Sequence, residues 1–296
     1  MKRLSLLAAL QFVMLPVLAQ QPMWLDPKVN SDNRMPRTAD FFAYDTPDAA
    51  AKGEKEASAL YMSLEGDWRF NFVRNVYDKP ADFFKKDFDD SKWVKFPVPG
   101  LFEMNGYGDK IYTNVTYPWN NEHPVNPPYI GERENYVGSY RQDFRIPSDW
   151  KGKRIYMHVG SATSNLTLWI NGQYVGYSED SKIAAEFDIT DYVQCGSSNL
   201  FAMQIMRWCD ASYIEDQDFW RFTGIARQVY LYARPEAHVE DMRIVTDLDG
   251  KYVDATLEFS AALTGADGKT VSVSLQDAGR EIASGKMTVA DGRAEI

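Results

Sequence analysis

The fold is decided by residues 166–177, which read LTLWINGQYVGY. Leu166, Leu168 and Ile170 alternate with more polar residues, and this period of two is typical of a half-buried strand. The Asn171-Gly172 pair that follows is the strongest short-range signal for a two-residue hairpin turn, because both turn positions need a positive φ. The stretch therefore predicts an antiparallel hairpin.

The same period of two recurs on both sides of the hairpin, and few helical patterns interrupt it. It predicts further short strands, at Gly138–Ile146, Arg154–Val159, Phe187–Ile189, Leu200–Arg207 and Arg227–Ala233. The first of these is expected to be half-buried, with Arg141, Asp143 and Arg145 on the face opposite to Tyr140, Gln142, Phe144 and Ile146. At least seven short strands between residues 63 and 233, with few helical patterns, favour a β-sandwich of the jelly-roll kind. The predicted fold class is all-β.

The predicted jelly roll spans residues 63–234, and the segments on either side of it differ from it in composition and in strand pattern. Residues 20–62 are polar and rich in proline, and they indicate an N-terminal arm with one short surface helix at 49–60. Residues 235–296 carry short strands punctuated by Asp-Gly pairs, which predicts an immunoglobulin-like domain. Such a sandwich takes about 100 residues, so we expect it to be incomplete here and the sequence to be a fragment.

Residues 1–19, MKRLSLLAALQFVMLPVLA, have the features of a secretory signal peptide. Two basic residues precede an apolar run, and small residues precede the expected cleavage after Ala19. A membrane anchor is the alternative, but Gln11 and Pro16 interrupt a run that is already short of the ~20 residues a span needs. We therefore expect an exported, periplasmic protein without a membrane span.

Composition argues against several classes of partner. The net charge is −10 at pH 7, and no basic block follows the first three residues, so neither nucleic acid nor an anionic membrane surface is an expected partner.

Cys195 and Cys209 are too few for a disulfide framework, and we expect free buried thiols, with a single bridge as the alternative. The three histidines lack metal-ligand spacing and are expected to be surface or packed residues.

Two segments contain more polar and aromatic residues than a strand requires. Residues 111–118 read IYTNVTYP, and residues 207–221 read RWCDASYIEDQDFWR. Carboxylates and amides bind sugar hydroxyls while aromatic rings cover the C–H face of a sugar, so the combination indicates a carbohydrate site. The alternatives are a glycosylation sequon at 114–116, a solvated acidic loop, and a hard-cation site that lacks the spacing of a calcium loop.

The acidic run itself is not expected to be catalytic. A glycosidase holds two carboxylates at a fixed separation across a cleft, whereas neighbouring residues on one loop usually diverge. A binding role is therefore favoured for this run.

Both segments resemble the amino-terminal part of the bacterial β-galactosidases of glycoside hydrolase family two. The resemblance extends through residues 63–70 (SLEGDWRF), 98–107 (VPGLFEMNGY) and 169–177 (WINGQYVGY). In that family the region is a jelly-roll (galactose-binding-like) β-sandwich that binds sugar, and an immunoglobulin-like domain and a catalytic (β/α)-barrel follow it. The resemblance implies that the full-length protein is a retaining hydrolase that releases terminal non-reducing β-D-galactose.

The resemblance also assigns two substrate-binding residues. Asn114 is expected to hydrogen-bond the galactose, and Asp210 falls where the family has a carboxylate that contacts sugar hydroxyls and helps to hold sodium. Cys209 and Ala211 depart from the Ser and Gly that are familiar there, which leaves the local cation geometry open. The catalytic glutamates of the family belong to the barrel, so no catalytic residue is predicted in this chain.

The resemblance implies sodium and a divalent cation, magnesium or calcium, as cofactors of the full-length enzyme. Asp210 is the single metal ligand predicted in this chain. A homo-oligomer is open for the full-length protein, and we expect the isolated chain to be inactive and prone to association through unpaired strand edges.

A stand-alone secreted galactoside-binding module, lectin-like and without catalysis, is the alternative function. Such a module is expected to end at a domain boundary near Pro235, whereas this sequence continues beyond it. β-Glucuronidases and β-mannosidases share the fold within the family, and the segments around Asn114 and Asp210 favour galactose over their substrates.

Overall fold

A computed structural model describes residues 21–119 and 121–296, so the predicted signal peptide at 1–19 lies outside the described residues. The strands in the first part of the chain are β1 (Ser31–Asp32), β2 (Tyr61–Ser63), β3 (Gly66–Val73), β4 (Val94–Val98), β5 (Gly100–Leu101), β6 (Ile111–Thr113), β7 (Val137–Arg145), β8 (Arg154–Val159), β9 (Ala162–Thr163), β10 (Leu166–Ile170) and β11 (Gln173–Ser178). They are followed by β12 (Ala185–Asp188), β13 (Ser198–Met206), β14 (Phe219–Arg221), β15 (Gly224–Ile225), β16 (Val229–Arg234), β17 (His238–Leu248), β18 (Ala255–Thr264), β19 (Thr270–Asp277), β20 (Arg280–Thr288) and β21 (Arg293–Glu295). The helical elements are the α-helix α1 (Pro47–Lys52) and 3₁₀ helices at Met23–Leu25, Lys55–Ala57, Val76–Asp78, Glu103–Asn105, Ser148–Trp150 and Asp210–Tyr213.

Two sheets form the sandwich that the sequence predicts, and the all-β fold class is confirmed. The major sheet has the order β1-β11-β10-β13-β7-β3-β4, and the minor sheet has the order β12-β8-β16-β2. Neighbouring strands in both sheets are mostly distant in sequence, as the crossing connections of a jelly roll require. Between the sheets lies one continuous apolar core, which includes Trp68, Phe70, Phe96, Phe102, Met157, Phe187, Phe201 and Leu231.

The predicted hairpin is present as β10 and β11, which are neighbouring strands of the major sheet. Asn171 and Gly172 have φ values of 54° and 85°, which is the left-handed pair that a two-residue turn requires. Leu166, Leu168 and Ile170 are fully buried, as the period of two predicts. The local sequence therefore dictates both the turn and the face that enters the core.

The prediction that β7 is half-buried is wrong for its first half. Arg141 was assigned to the solvent face, yet it is 3% exposed. Its Nε lies 2.6 Å from Asp90 Oδ2, and its Nη1 donates to the carbonyl of Lys85 at 2.8 Å. The loop that connects β3 with β4 covers this face of the sheet, which alternation along one strand does not reveal.

The arm lies against the outer face of the minor sheet. Met35 and Phe42 of the arm pack against Tyr156, Tyr230 and Tyr232, which point away from the core between the sheets. The predicted helix at 49–60 is shorter than expected, because Gly53 adopts a φ of 69° and ends α1 at Lys52. Left-handed backbone at glycine is a common helix terminator.

Beyond Pro235 the regular structure is all strand, in sheets of order β17-β18-β21 and β19-β20. These strands support the all-β class, while the division of the chain into domains at residue 235 stays a prediction. Both cysteines are free, with Cys209 buried and Cys195 partly so. None of the helices in the described ranges is long and apolar enough to cross a membrane.

Candidate carbohydrate site

The two crowded segments meet in an antiparallel ribbon formed by β6 and β14. In this ribbon Tyr112 is opposite Trp220, and Thr113 is opposite Phe219. The hydroxyl of Tyr112 donates to Asp218 Oδ1 at 2.6 Å, and Arg221 Nη2 donates to the carbonyl of Thr113 at 3.1 Å. Residues that are about a hundred positions apart therefore form one surface feature, which we call the ribbon.

Most aromatic rings of the two segments serve packing rather than ligand contact. Trp119 is buried, and its ring centroid lies 5.2 Å from that of Trp208 and 5.0 Å from that of Tyr213. The exposed rings are instead Tyr112 and Trp220 on the ribbon, which are 53% and 52% exposed. These two rings are the ones that are available to cover the C–H face of a sugar.

Asn114 follows β6 directly and is exposed. The hydroxyl of Thr113 donates to the carbonyl of Thr116 at 2.9 Å, which closes the turn that presents the Asn114 amide. An exposed amide in such a turn is accessible to a sugar hydroxyl and equally to a glycosylation enzyme, so the sequon alternative stays open.

Asp210 lies in a different environment, at the start of the 3₁₀ helix Asp210–Tyr213. It is 6% exposed, and its Oδ1 accepts the N–H of Ala211 at 3.0 Å. Oxygen or sulfur atoms of Glu179, Cys209 and Asp210 all lie within 4.8 Å of one another. The structure thus places a second carboxyl group, one that the sequence reasoning missed, beside Asp210.

The two carboxyl groups carry unequal charge. Burial raises the pKa of Glu179 to about 8, with the nearby Asp210 carboxylate adding to this shift, although Tyr177 Oη donates to Glu179 Oε1 at 2.5 Å. Burial also raises the pKa of Asp210, but a hydrogen bond from Glu179 opposes that shift. At neutral pH Glu179 is therefore mostly protonated, and its hydrogen bond to Asp210 favours the charged form of that carboxyl group.

This donor set fits a hard cation through its carboxylates only. Burial raises the pKa of the Cys209 thiol well above its ordinary value, so the sulfur stays protonated. Sodium prefers oxygen ligands, and a neutral thiol adds little to its binding. A cation would displace the proton of Glu179, and Glu179 and Asp210 would then both offer charged oxygen atoms.

The acidic run is not a freely solvated loop. Glu215 Oε1 accepts the N–H of Ser181 at 2.9 Å, and Asp216 Oδ1 lies 2.6 Å from Arg221 Nη2. Asp216 and Asp218, which accepts the Tyr112 hydroxyl, make their contacts within the ribbon segments. Glu215 connects the run to Ser181, between β11 and β12.

A jelly-roll sandwich with a carboxylate pair and exposed aromatic rings has the features of a carbohydrate-binding domain. The family model for "Glycosyl hydrolases family 2, sugar binding domain" matches residues 61–235, and the chain belongs to this family. Together with the β-galactosidases that match the chain at 36 to 41% identity, this match confirms the resemblance to the amino-terminal part of the family's β-galactosidases.

Curated relatives point to the same group. The chain is 41% identical over 241 residues to a β-galactosidase of Priestia megaterium, covering 81% of this chain and 23% of that protein. It is 37% identical over 256 residues to a β-galactosidase of Clostridium acetobutylicum, covering 86% of this chain and 28% of that protein. The chain thus spans about a quarter of the length of these relatives.

Solved structures support the fold. A glycosyl hydrolase family 2 member from Bacteroides cellulosilyticus has a TM-score of 0.56 at 22% identity, covering 80% of this chain and 30% of that chain. A β-glucuronidase from Ruminococcus gnavus has a TM-score of 0.58 at 22% identity, covering 79% of this chain and 38% of that chain. At such identities the similarity shows the architecture of the chain and not its substrate.

Proposed function

We propose that this chain is the N-terminal part of a β-galactosidase that hydrolyses terminal non-reducing β-D-galactose residues with retention. In this proposal the chain shapes the galactose subsite, and the two catalytic glutamates belong to the barrel of the whole protein. The observation that carries the proposal is the buried Glu179–Asp210 pair, in a chain that also presents the ribbon and is 41% identical to a curated β-galactosidase.

Asn114 and Asp210 have complementary roles in this proposal. The exposed Asn114 amide offers both a donor and an acceptor to a sugar hydroxyl. The Asp210 carboxylate accepts hydroxyl protons, and its burial strengthens these hydrogen bonds because little water competes there. Two fixed groups that read hydroxyl positions favour one sugar epimer over another, since a mismatched epimer leaves the buried carboxylate unpaired.

Sodium is the cation that we propose for this site, with Asp210 and Glu179 as the residues that would hold it. When bound, it supplies a fixed positive charge that pins the carboxylates and polarises a coordinated hydroxyl. We assign no ligand in this chain to the divalent cation, magnesium or calcium, that we propose for the whole protein.

Export to the periplasm through the signal at 1–19 is part of the proposal, as is oligomer formation by the whole protein. A periplasmic enzyme of this class would release galactose from glycans that enter from outside the cell. The stand-alone galactoside-binding module remains the second candidate, because the galactose-reading residues lie in this chain.

The decisive experiment compares substrates on the full-length product of the source gene. We expect hydrolysis of p-nitrophenyl β-D-galactoside at least a hundredfold faster than of the matching β-D-glucuronide, because an enzyme site that hydrogen-bonds one hydroxyl pattern rejects others by such factors. We expect Asp210→Asn to lower kcat/KM and to remove its dependence on sodium. A preference for the glucuronide would overturn the proposal.

The 296-residue chain alone is expected to show no turnover. The mass of the protein in its source cells separates the two candidates. A band much larger than 33.8 kDa supports the enzyme, whereas a band near 33.8 kDa supports the binding module.

A further inference from the structure

A network of buried hydrogen bonds ends at the Glu179 carboxyl group. Tyr177 Oη donates to Glu179 Oε1 at 2.5 Å, and Asn165 Nδ2 donates to Tyr177 Oη at 3.4 Å. Glu179, Tyr177 and Asn165 are 5%, 2% and 1% exposed, so water has little access to these bonds. We call them the Tyr177 network. The roles proposed for Asn114 and Asp210 do not include it.

The Tyr177 network runs in one direction. Asn165 Oδ1 accepts the N–H of Met206 at 3.0 Å, so the Nδ2 of this amide is the atom that faces Tyr177. The Tyr177 hydroxyl accepts from Asn165 and donates its single proton to Glu179. Glu179 Oε1 is therefore an acceptor, and a proton on this carboxyl group lies on Oε2. Hydrogen bonds that run in one direction strengthen one another.

Backbone contacts fix the start of the Glu179 side chain but not its end. The N–H of Glu179 donates to the carbonyl of Asn30 at 2.9 Å, and β1 pairs with β11 directly before this point. A glutamate side chain has several rotatable bonds, and ordering them costs entropy. The Tyr177 hydroxyl gives one carboxyl oxygen a fixed partner, and Glu179 in turn hydrogen-bonds Asp210. The orientation of the carboxyl pair therefore depends on this hydroxyl.

The ring of Tyr177 is held separately from its hydroxyl. It belongs to a buried apolar cluster that also contains Trp208, Cys209 and Tyr213, which lie around Asp210 in the sequence. A phenylalanine at position 177 would keep this packing and lose only the hydroxyl. The positioning effect of the hydroxyl can therefore be measured apart from the packing of the ring.

We propose that Tyr177 is a positioning residue for the Glu179–Asp210 pair, with Asn165 orienting its hydroxyl. The inference rests on the proposed function, because it concerns the pair to which galactose and sodium are assigned there. The hydroxyl holds Glu179 in the rotamer that faces Asp210, so a sugar hydroxyl or a sodium ion meets a pair that is already arranged. Tyr177 acts through Glu179, as the outer partners of metal ligands do.

Sodium binding tests the inference on the 296-residue chain without any turnover. Melting temperatures are measured by circular dichroism in sodium chloride and, at equal ionic strength and pH, in tetramethylammonium chloride. The dissociation constant of sodium follows from the rise of the melting temperature with its concentration. We expect Tyr177→Phe to raise this constant about tenfold, the usual result of removing the partner of a metal ligand. A general loss of stability would appear equally in tetramethylammonium chloride.

The matched control is Tyr174→Phe, on the same strand. Tyr174 Oη donates to Asp32 Oδ2 at 2.8 Å, so this change also removes one bond between a hydroxyl and a carboxylate. That bond does not involve Glu179 or Asp210. We therefore expect the dissociation constant of sodium to stay the same in this variant.

Kinetics on the full-length product of the source gene give a second readout. We expect Tyr177→Phe to raise KM for p-nitrophenyl β-D-galactoside about tenfold and to leave kcat within about twofold, because it weakens binding of the ground state and the transition state alike. A purely structural defect would reduce the amount of active enzyme, which lowers the apparent kcat and leaves KM unchanged.

A double-mutant cycle shows whether Tyr177 acts through Glu179. Glu179→Leu removes the carboxyl group that the hydroxyl holds and keeps an apolar side chain in its place. We expect the effect of Tyr177→Phe on KM to disappear in the Glu179→Leu background, because the two residues then no longer interact.

An unchanged dissociation constant of sodium in Tyr177→Phe, an equal change in Tyr174→Phe, or a full effect on KM in the Glu179→Leu background would each overturn the inference. If the unmodified chain does not respond to sodium and Asp210→Asn leaves kcat/KM unchanged, the proposed function fails and the inference fails with it. A response to sodium and to Asp210→Asn, without a response to Tyr177→Phe, overturns the inference alone.

Discussion

The jelly roll and the region beyond Pro235 are built from the same kind of strand, yet they bury their side chains to very different degrees. Phe187 in the sandwich is fully buried, whereas Ile244 on β17 is 60% exposed. The buried apolar cluster beyond Pro235 consists of three small or medium residues, Ala266, Val289 and Ala294. Period-two patterning specifies a strand, but stability depends on apolar surface that a facing sheet removes from water.

The largest expected effect comes from removing a large side chain that is buried between the two sheets. We expect Phe187→Ala to lower the free energy of unfolding by about 3 to 5 kcal/mol, because the cavity it leaves is enclosed by both sheets. Ile282→Ala on the half-exposed β20 is the matched change, with an expected loss below about 1 kcal/mol. Urea denaturation followed by circular dichroism measures both, and equal losses would contradict the contrast between the two regions.

The next effect concerns the covered face of β7. Asp90→Asn removes the carboxylate that pairs with the buried Arg141, and we expect a loss of about 3 kcal/mol because a buried charge then lacks its partner. Asp82→Asn is the control, since its exposed pair with Lys85 is worth about 0.5 kcal/mol or less. If both variants unfold at the same urea concentration, the loop does not cover this face in solution.

A smaller, pH-dependent effect is expected from Glu179. Its pKa is raised by burial from 4.5 to about 8, so the folded state holds a proton that the unfolded state loses. Stability from this group is complete below pH 4.5, falls as the pH rises towards 8, and levels off above 8. We expect Glu179→Gln to flatten this part of the melting-temperature profile.

The control for that profile is Glu258→Gln, which changes an exposed glutamate on β18. We expect its profile to follow that of the unmodified chain. Sodium is expected to raise the melting temperature most at pH 8, where it competes with the fewest protons for the carboxylates. An unchanged slope in Glu179→Gln would mean that this carboxyl group is not buried in solution.

The smallest expected effect comes from an exposed residue in the region beyond Pro235. We expect Ile244→Lys to change the free energy of unfolding by no more than about 0.5 kcal/mol, because the side chain is already exposed. It is expected to reduce association of the 296-residue chain, since it places a charge on an exposed apolar strand face. Light scattering checks this, and a chain that is monomeric before the change would contradict it.

Local patterns predicted the central strands of the sandwich, and the reason is visible in the hairpin. The residues that form the Asn171-Gly172 turn and its flanking alternation are adjacent in sequence, so local backbone preferences are sufficient. The helix at 49–60 was overextended because a run of good helix formers outweighed Gly53 in the prediction. Burial of Arg141 was missed because the covering loop comes from a distant segment.

The residues of the candidate site were also only partly predicted from the sequence. Asn114 and Asp210 were named from the resemblance to a family, and their placement as substrate-binding residues stays a prediction. Glu179 was missed, although a carboxylate directly after a predicted core strand was an available signal. Nothing local indicates that the end of β11 lies beside the segment that follows β13.

By itself, the sequence determined the all-β class, the hairpin, the strands and the two segments that form the ribbon. These features depend on side-chain alternation and turn residues within a few positions of one another. The tertiary structure alone decided that Glu179 is buried beside Asp210, and that Arg141 is buried against Asp90. Burial and pKa depend on the dielectric surroundings and on charges from distant parts of the chain, which only the packed sheets bring together.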